Sequence, residues 1–130
     1  MHPQNTMPSQ QIDSPVVVTP NSEHATQKVF HLINGEHYSG AERVQDLLAS
    51  ALPGFGFEVG FGYTKEGIFG ASRKQKQTPL YNCVMRHRLD RQAATKAIQH
   101  IVDENYVAVH AHTPRSLMIA SSVAKKLKLP

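Results

Sequence analysis

An open, mostly parallel, doubly wound α/β sheet is the fold class this sequence predicts, and three observations predict it. An apolar segment, Val29-Phe30-His31-Leu32-Ile33, runs into a glycine-containing loop and then into a helical pattern that opens at Gly40. The segment Val107-Ala108-Val109-His110-Ala111-His112-Thr113-Pro114-Arg115-Ser116 repeats that arrangement near the other end and sets two histidines at the strand tip. Between the two, apolar segments and helical periodicity alternate. Right-handed crossovers convert such an alternation into a parallel sheet with helices on its faces.

Residues Met1 to about Gln27 are rich in Pro, Gln, Ser, Asn and Thr and carry no apolar period, so they read as a disordered polar tail. The fold, spanning residues 28–130, opens with a strand from Lys28 to Ile33. A helix over residues 40–52 follows, with Val44, Leu47, Leu48, Ala51 and Leu52 on one face, and Pro53-Gly54 stops it. Phe57 to Tyr63 is the second strand, with Phe57, Val59 and Phe61 on one side and Gly60 and Gly62 on the other. Lys65 to Pro79 is polar and glycine-containing, hence a loop with room for one helical turn. Leu80 to Met85 is a third strand.

Asp90 can cap a helix from Arg91 to Glu104 that turns Ala94, Ala97, Ile98, Ile101 and Val102 to the sheet. Tyr106 to Ala111 is the fourth strand. Thr113 is a candidate N-cap with Pro114 at the first helical position, and the last helix buries Leu117, Ala120, Ala124 and Leu127. The order is strand, helix, strand, strand, helix, strand, helix. The sequence stops at Leu129-Pro130, where a further strand is expected, so the doubly wound sheet reads as incomplete.

A chain of 130 residues suggests one domain, and a hydrophobic fraction of 40% with 7% aromatics fits a globular protein. The single cysteine, Cys83, cannot form an internal disulfide, and on its strand it reads as a small apolar filler. No apolar run approaches the roughly 18 to 20 residues that cross a bilayer, and the N-terminus lacks a basic start followed by an apolar block. Cytoplasmic residence is the resulting expectation. The formal charge of +4 gathers at Arg73-Lys74-Gln75-Lys76, Arg86-His87-Arg88 with Arg91, and Lys125-Lys126-Leu127-Lys128. These groups are not interleaved with aromatics, so nucleic acid is not an expected partner. They read as solvated faces, with attraction to phosphates or to an anionic membrane surface, such as the inner face of the membrane, as the functional alternative.

Gly35 and Gly40 have the spacing of a Walker A loop, but Ala41 and Glu42 stand where the phosphate-binding Lys and the magnesium-binding Ser or Thr belong. The dinucleotide pattern G-x-G-x-x-G is absent as well. What remains is a generic glycine-bearing loop whose amides and helix dipole suit a phosphate or a sugar. His110-x-His112 has no Cys, Asp or third His near it in sequence, and no metal site is expected.

Taken together, Val29-Phe30-His31-Leu32-Ile33, Ser39-Gly40-Ala41-Glu42-Arg43, Leu47-Leu48-Ala49 and Val109-His110-Ala111-His112-Thr113 resemble the N-terminal domain of a family 4 glycosyltransferase of GT-B architecture. The resemblance covers roughly residues 28–130. It implies two Rossmann-like domains facing a cleft, of which this chain has only the acceptor-side one. The missing C-terminal donor domain would bind a nucleotide-sugar, and no other cofactor is implied. The acceptor would be a glycan or a lipid-linked sugar.

Carried over by position, Gly40 matches the glycine of the first loop. Ser39 stands where the family often has a second glycine, and Tyr38 and Ala41 flank the pair. His112 matches the histidine that lines the cleft and is the catalytic candidate, able to hydrogen-bond the sugar or accept a proton. His110 and Thr113 flank it on the substrate side. Helix capping is the structural alternative for His112, burial for His110, and loop packing for Tyr38 and His37, while His31 reads as a satisfied core histidine. A Rossmann-like module that binds a ligand or partner without catalysis is the other function class that fits.

Overall fold

The computed structural model describes residues 25–130. The expected polar tail lies outside the described residues except for its last three positions, of which Gln27 already belongs to a strand. Strand β1 (Gln27–Ile33) leads to helix α1 (Gly40–Ala51) and a 3-10 turn at Leu52–Phe55. Strand β2 (Phe57–Tyr63), the short helix α2 (Phe69–Ser72) and strand β3 (Leu80–Asn82) follow, then α3 (Arg91–Asp103), β4 (Ala108–Ala111) and α4 (Pro114–Leu127). The four strands form one sheet in the order β3-β2-β1-β4, with every neighbouring pair parallel. This is the doubly wound, Rossmann-like α/β fold the sequence predicts. The strand order reverses between β1 and β4, where open α/β sheets place their ligands.

The sheet divides two apolar layers. Phe30 and Leu32 point to the side covered by α3 and α4, against Cys83, Ala97, Ile101, Ile119 and Val123. Ile33, Val59 and Phe61 point to the other side, against Ala49 and Phe69. Gly60 and Gly62 of β2 lie under aromatic rings: a Cβ at Gly60 would sit 1.9 Å from the Tyr106 hydroxyl, and one at Gly62 would sit 2.8 Å from the Phe30 ring. The two positions lack side chains because the rings occupy that volume. Cys83 is fully buried, and burial pushes its thiol up to about 12, as expected of a filler.

Helix α1 faces the opposite way from its apolar period. Val44 is 45% and Leu47 68% exposed, whereas Glu42, Gln45, Asp46 and Ala49 are buried. Polar partners waiting below explain the turn. Gln45 accepts from His31, Asp46 accepts from Tyr38 and from two loop amides, and Glu42 accepts from Ser39. Leu48 and Leu52 keep partial burial at the edge of the helix. In α3 the inward residues are Ala93, Ala97 and Ile101, with Ala94 and Ile98 at the flank and Val102 outside. In α4 they are Ser116, Ile119, Ala120 and Val123, and Leu117 is 56% exposed.

Strand β3 is regular only to Asn82, short of the expected Met85: the Val84 amide donates to the Asn82 side chain in a local turn, while the Cys83 and Met85 amides still donate to the Tyr63 and Thr64 carbonyls. Strand β4 starts at Ala108 because the preceding turn closes α3. Asn105 takes φ 59 there, and the Tyr106 amide donates back to the Ile101 carbonyl. The helix starts agree with the sequence reading. Asp90 accepts from the Gln92 and Ala93 amides, and Thr113 with Ser116 forms a reciprocal cap behind Pro114.

Candidate functional site

The β1–α1 loop starts from a fixed base. Gly35 has φ 90, and a Cβ there would meet the Lys65 carbonyl and the Tyr63 side chain at 2.8 Å. The loop after β2 clamps it: the Lys65, Ile68 and Phe69 amides donate to the carbonyls of Asn34, Glu36 and Gly35. Lys65 Nζ also donates to Glu36 Oε2 at 2.6 Å, and that bond, foremost, holds the Glu36 carboxyl below its usual value. Gly67 lies so close that a Cβ would fall 2.2 Å from the Glu36 carbonyl oxygen. Gly35 is thus a glycine of the fold.

Gly40 is different. Its φ is not left-handed, and a Cβ there would meet nothing within 4 Å. Nothing in the fold asks for glycine at the first position of α1. The N-cap residue Ser39 does not accept a first-turn amide; its hydroxyl donates to Glu42 Oε2 at 3.1 Å. The amides of Ala41 and Glu42 therefore lack the usual side-chain cap, and that of Gly40 precedes them at the positive end of a 12-residue helix.

Tyr38 turns to the other flank of α1. Its hydroxyl donates to Asp46 Oδ2 at 2.5 Å, and the Arg43 guanidinium lies over its ring. Asp46 also accepts from the Lys74 amide at 2.7 Å and the Gln75 amide at 3.2 Å. Burial alone would raise the Asp46 carboxyl, but these amides and the Tyr38 hydroxyl outweigh it and hold it low. Tyr38, Arg43, Asp46 and Leu47 line a hollow that neither Gly40 nor His112 borders. Tyr38 thus has a packing role, tying the glycine loop to the loop before β3.

On the β4 side the register brings three histidines into a row. His31 of β1 pairs with His110 of β4, and their rings stack at 4.6 Å. His110 Nε2 lies 3.1 Å from His112 Nδ1, a hydrogen bond in which one nitrogen carries the proton and the other is bare. His31 is buried and its Nδ1 donates to Gln45 Oε1 at 3.0 Å, so it is a satisfied core residue. His110 is half-buried and His112 exposed. Thr113, not His112, caps α4, so its side chain is committed to the helix. Gln45 and Asp46 were not among the candidates the sequence offered. Their signal is the polar stripe Glu42, Gln45, Asp46, which a search for apolar periodicity passes over.

Burial, ahead of the neighbouring His110, lowers His31 to about 4 from 6.5. Burial, ahead of His112, lowers His110 as well. Unfolded His31 binds a proton that the folded chain refuses. The stability conferred by neutral His31 is therefore complete above 6.5 and is lost as the pH falls toward 4. The loss is about 3 kcal/mol from the size of the shift. Asp90, its carboxyl held to about 2 chiefly by the Arg86 amide, gives up its stability mostly below this window, with only the onset of the loss near pH 4. Thermal melts from pH 7 to 4 should show a falling Tm that His31→Gln flattens. An equally steep fall in that variant would assign the acid sensitivity elsewhere.

Among the described residues no group of three His, Cys, Asp or Glu side chains is placed to hold a metal ion. No described helix is long and apolar enough to cross a membrane.

No family model matches the chain, and no curated protein matches it by sequence. Solved structures do. MurG of Acinetobacter baumannii superposes with a TM-score of 0.66 at 17% identity over 80% of this chain and 33% of its own. Anabaena Alr3699/HepE, solved in complex with UDP and glucose, gives 0.61 at 16% identity over 80% of this chain and 28% of its own. Both are GT-B glycosyltransferases, and this chain has the Rossmann-like fold of one portion of them. The chain spans about a third of the length of the structures it matches.

Proposed function

We propose that this chain is the acceptor-side half of a glycosyltransferase that moves a sugar from a nucleotide-sugar to a glycan or lipid-linked acceptor. The observation that supports the reading is the adjacency of β1 and β4 in the sheet: the segment after β1 opens a helix without a side-chain cap, and β4 leads into the hydrogen-bonded pair of half-buried His110 and exposed His112. The fold shared with MurG and HepE, one of them holding UDP and glucose, supports it.

Sugar transfer develops positive charge on the sugar ring and negative charge on the departing phosphate. Amides at a helix start stabilise such a phosphate without a metal. Where His112 Nδ1–H donates to His110 Nε2, the Nε2 of His112 is bare and can take the proton of an acceptor hydroxyl. Neutral His110 then accepts from the imidazolium that forms. Gly40 gives the reacting phosphate or sugar room against the backbone.

Titration of the chain with candidate glycan and lipid-phosphate acceptors, followed by amide and imidazole NMR signals, should move Gly40, Ala41 and His112. Gly40→Ala should abolish those shifts while leaving Tm unchanged or slightly raised, because alanine is the better helix former. With nucleotide-sugars present, the chain by itself should turn nothing over. Robust transfer by the chain alone would overturn the half-site reading. Shifts confined to other surfaces would favour a non-catalytic binding module.

A further inference from the structure

We infer that His31, held by Gln45, is a positioning residue for the histidine pair: a flat, uncharged shelf that fixes the ring plane of His110 and so keeps its Nε2 aimed at His112 Nδ1. The inference rests on the reading of His112 as the base and assigns the groups that hold its partner in place.

Four side chains from α1, β1 and the end of β4 form one line. Gln45 of α1 accepts from His31 Nδ1 at 3.0 Å. The His31 ring of β1 lies on the His110 ring of β4, with centroids 4.6 Å apart and planes 11° apart. His110 Nε2 then lies 3.1 Å from His112 Nδ1. Burial grades along the line: Gln45 and His31 are buried, His110 is half-buried and His112 is exposed. The fixed end lies inside and the reacting end at the surface. Phe61 meets the His31 ring at close to a right angle, centroids 5.9 Å apart, and leaves it little room to turn.

The inner pair is a costly choice for packing alone. A buried imidazole and carboxamide gain little over apolar side chains of similar volume, because their hydrogen bond mainly offsets the water each has lost. The helix nevertheless turns Gln45 to His31 and leaves Val44 and Leu47 exposed. Gln45 is also the uncharged member of the buried stripe Glu42, Gln45, Asp46. A carboxylate in its place would draw a proton onto His31, and that cation would lie against His110 and oppose the imidazolium His112 must become. The ionisable groups acting on His31 are His110 and His112, and both disfavour its protonation.

Imidazole NMR of the isotope-labelled full chain reads the shelf without donor or acceptor present. A proton held between His110 Nε2 and His112 Nδ1 couples the two nitrogens across the hydrogen bond, and above the titration range of both rings the parent chain should show that coupling. Two apolar replacements of the inner pair separate packing from positioning. His31→Phe with Gln45→Leu keeps a flat ring against His110 and should keep the coupling near its parent strength. His31→Leu with Gln45→Leu fills the core without a plane and should lose the coupling, while circular dichroism and Tm show both pairs folded. Where the nucleotide-sugar-binding half is present, the leucine pair should lower kcat with little change in KM. Absence of the coupling in the parent chain would overturn the inference, and so would equal coupling in the two pairs, which would leave the reading of His112 as base untouched. Unchanged turnover in His112→Ala, with a coupling that still separates the two pairs, would overturn the sugar-transfer reading and leave the shelf standing.

Discussion

Gly60→Ala should cost about 3 kcal/mol or more of folding stability, the upper range for forcing an extra group into a packed core. For a domain of this size that is a fall in Tm of more than about 10 °C. The added Cβ would sit 1.9 Å from the Tyr106 hydroxyl and 2.5 Å from the ring carbon that bears it. The clash falls on the far end of a side chain, which is the inexpensive kind only where that side chain can swing. Tyr106 cannot. It is buried, its ring meets Phe30 edge-on at 5.2 Å and lies near Tyr81, and Lys28 lies over its face. Tyr106→Phe removes the nearest atom, so the double variant should regain part of the loss, a coupling that two independent sites would not show. Gly60→Ala at wild-type Tm, or a double variant no better than the single, would show that the aromatic layer yields more than this packing allows.

The glycines of β2 also mark what the sequence could and could not disclose. Their alternation with Phe57, Val59 and Phe61 made the strand legible, but the rings that require them come from β1 and from the turn after α3, far along the chain. The starts of α3 and α4 were legible because a cap is a local device: Asp90 and Thr113-Pro114 carry their own partners within three residues. The orientation of α1 was not legible. Its apolar stripe Val44, Leu47, Leu48, Ala51 pointed one way, yet the helix turns to satisfy His31 below it and the Lys74 and Gln75 amides beside it. Those partners lie 14 to 29 residues away, beyond the reach of periodicity.

The candidate site divides in the same way. That His110 and His112 share a face follows from the two-residue period of a strand. That His31 stacks on His110 depends on the β1/β4 register, which a crossover of more than seventy residues sets. Gly35 and Gly40 look alike in sequence, and only their surroundings separate a glycine that the fold requires from one that leaves open space. Ser39 and Tyr38 were candidates by adjacency to Gly40, and their side chains turn to Glu42 and Asp46 instead.

His112→Ala should lower sugar transfer by about 10²-fold or more where the nucleotide-sugar-binding half is present, the effect typical of a lost general base. The side chain is exposed, and its one hydrogen bond runs to His110, so folding loses little when it is removed. Rate and stability should therefore part company: turnover falls while Tm stays near that of the parent. His112→Gln, which can still hydrogen-bond His110 but cannot take a proton, should be as slow as the alanine variant. His110→Ala should be intermediate, since it removes the group that fixes the His112 ring and leaves the base in place. A histidine that only binds the acceptor would behave differently, raising KM in His112→Ala with kcat preserved and recovering in His112→Gln. Unchanged turnover in both variants would leave the exposed histidine without a part in the chemistry and return the site to the amides of Gly40 and Ala41 alone.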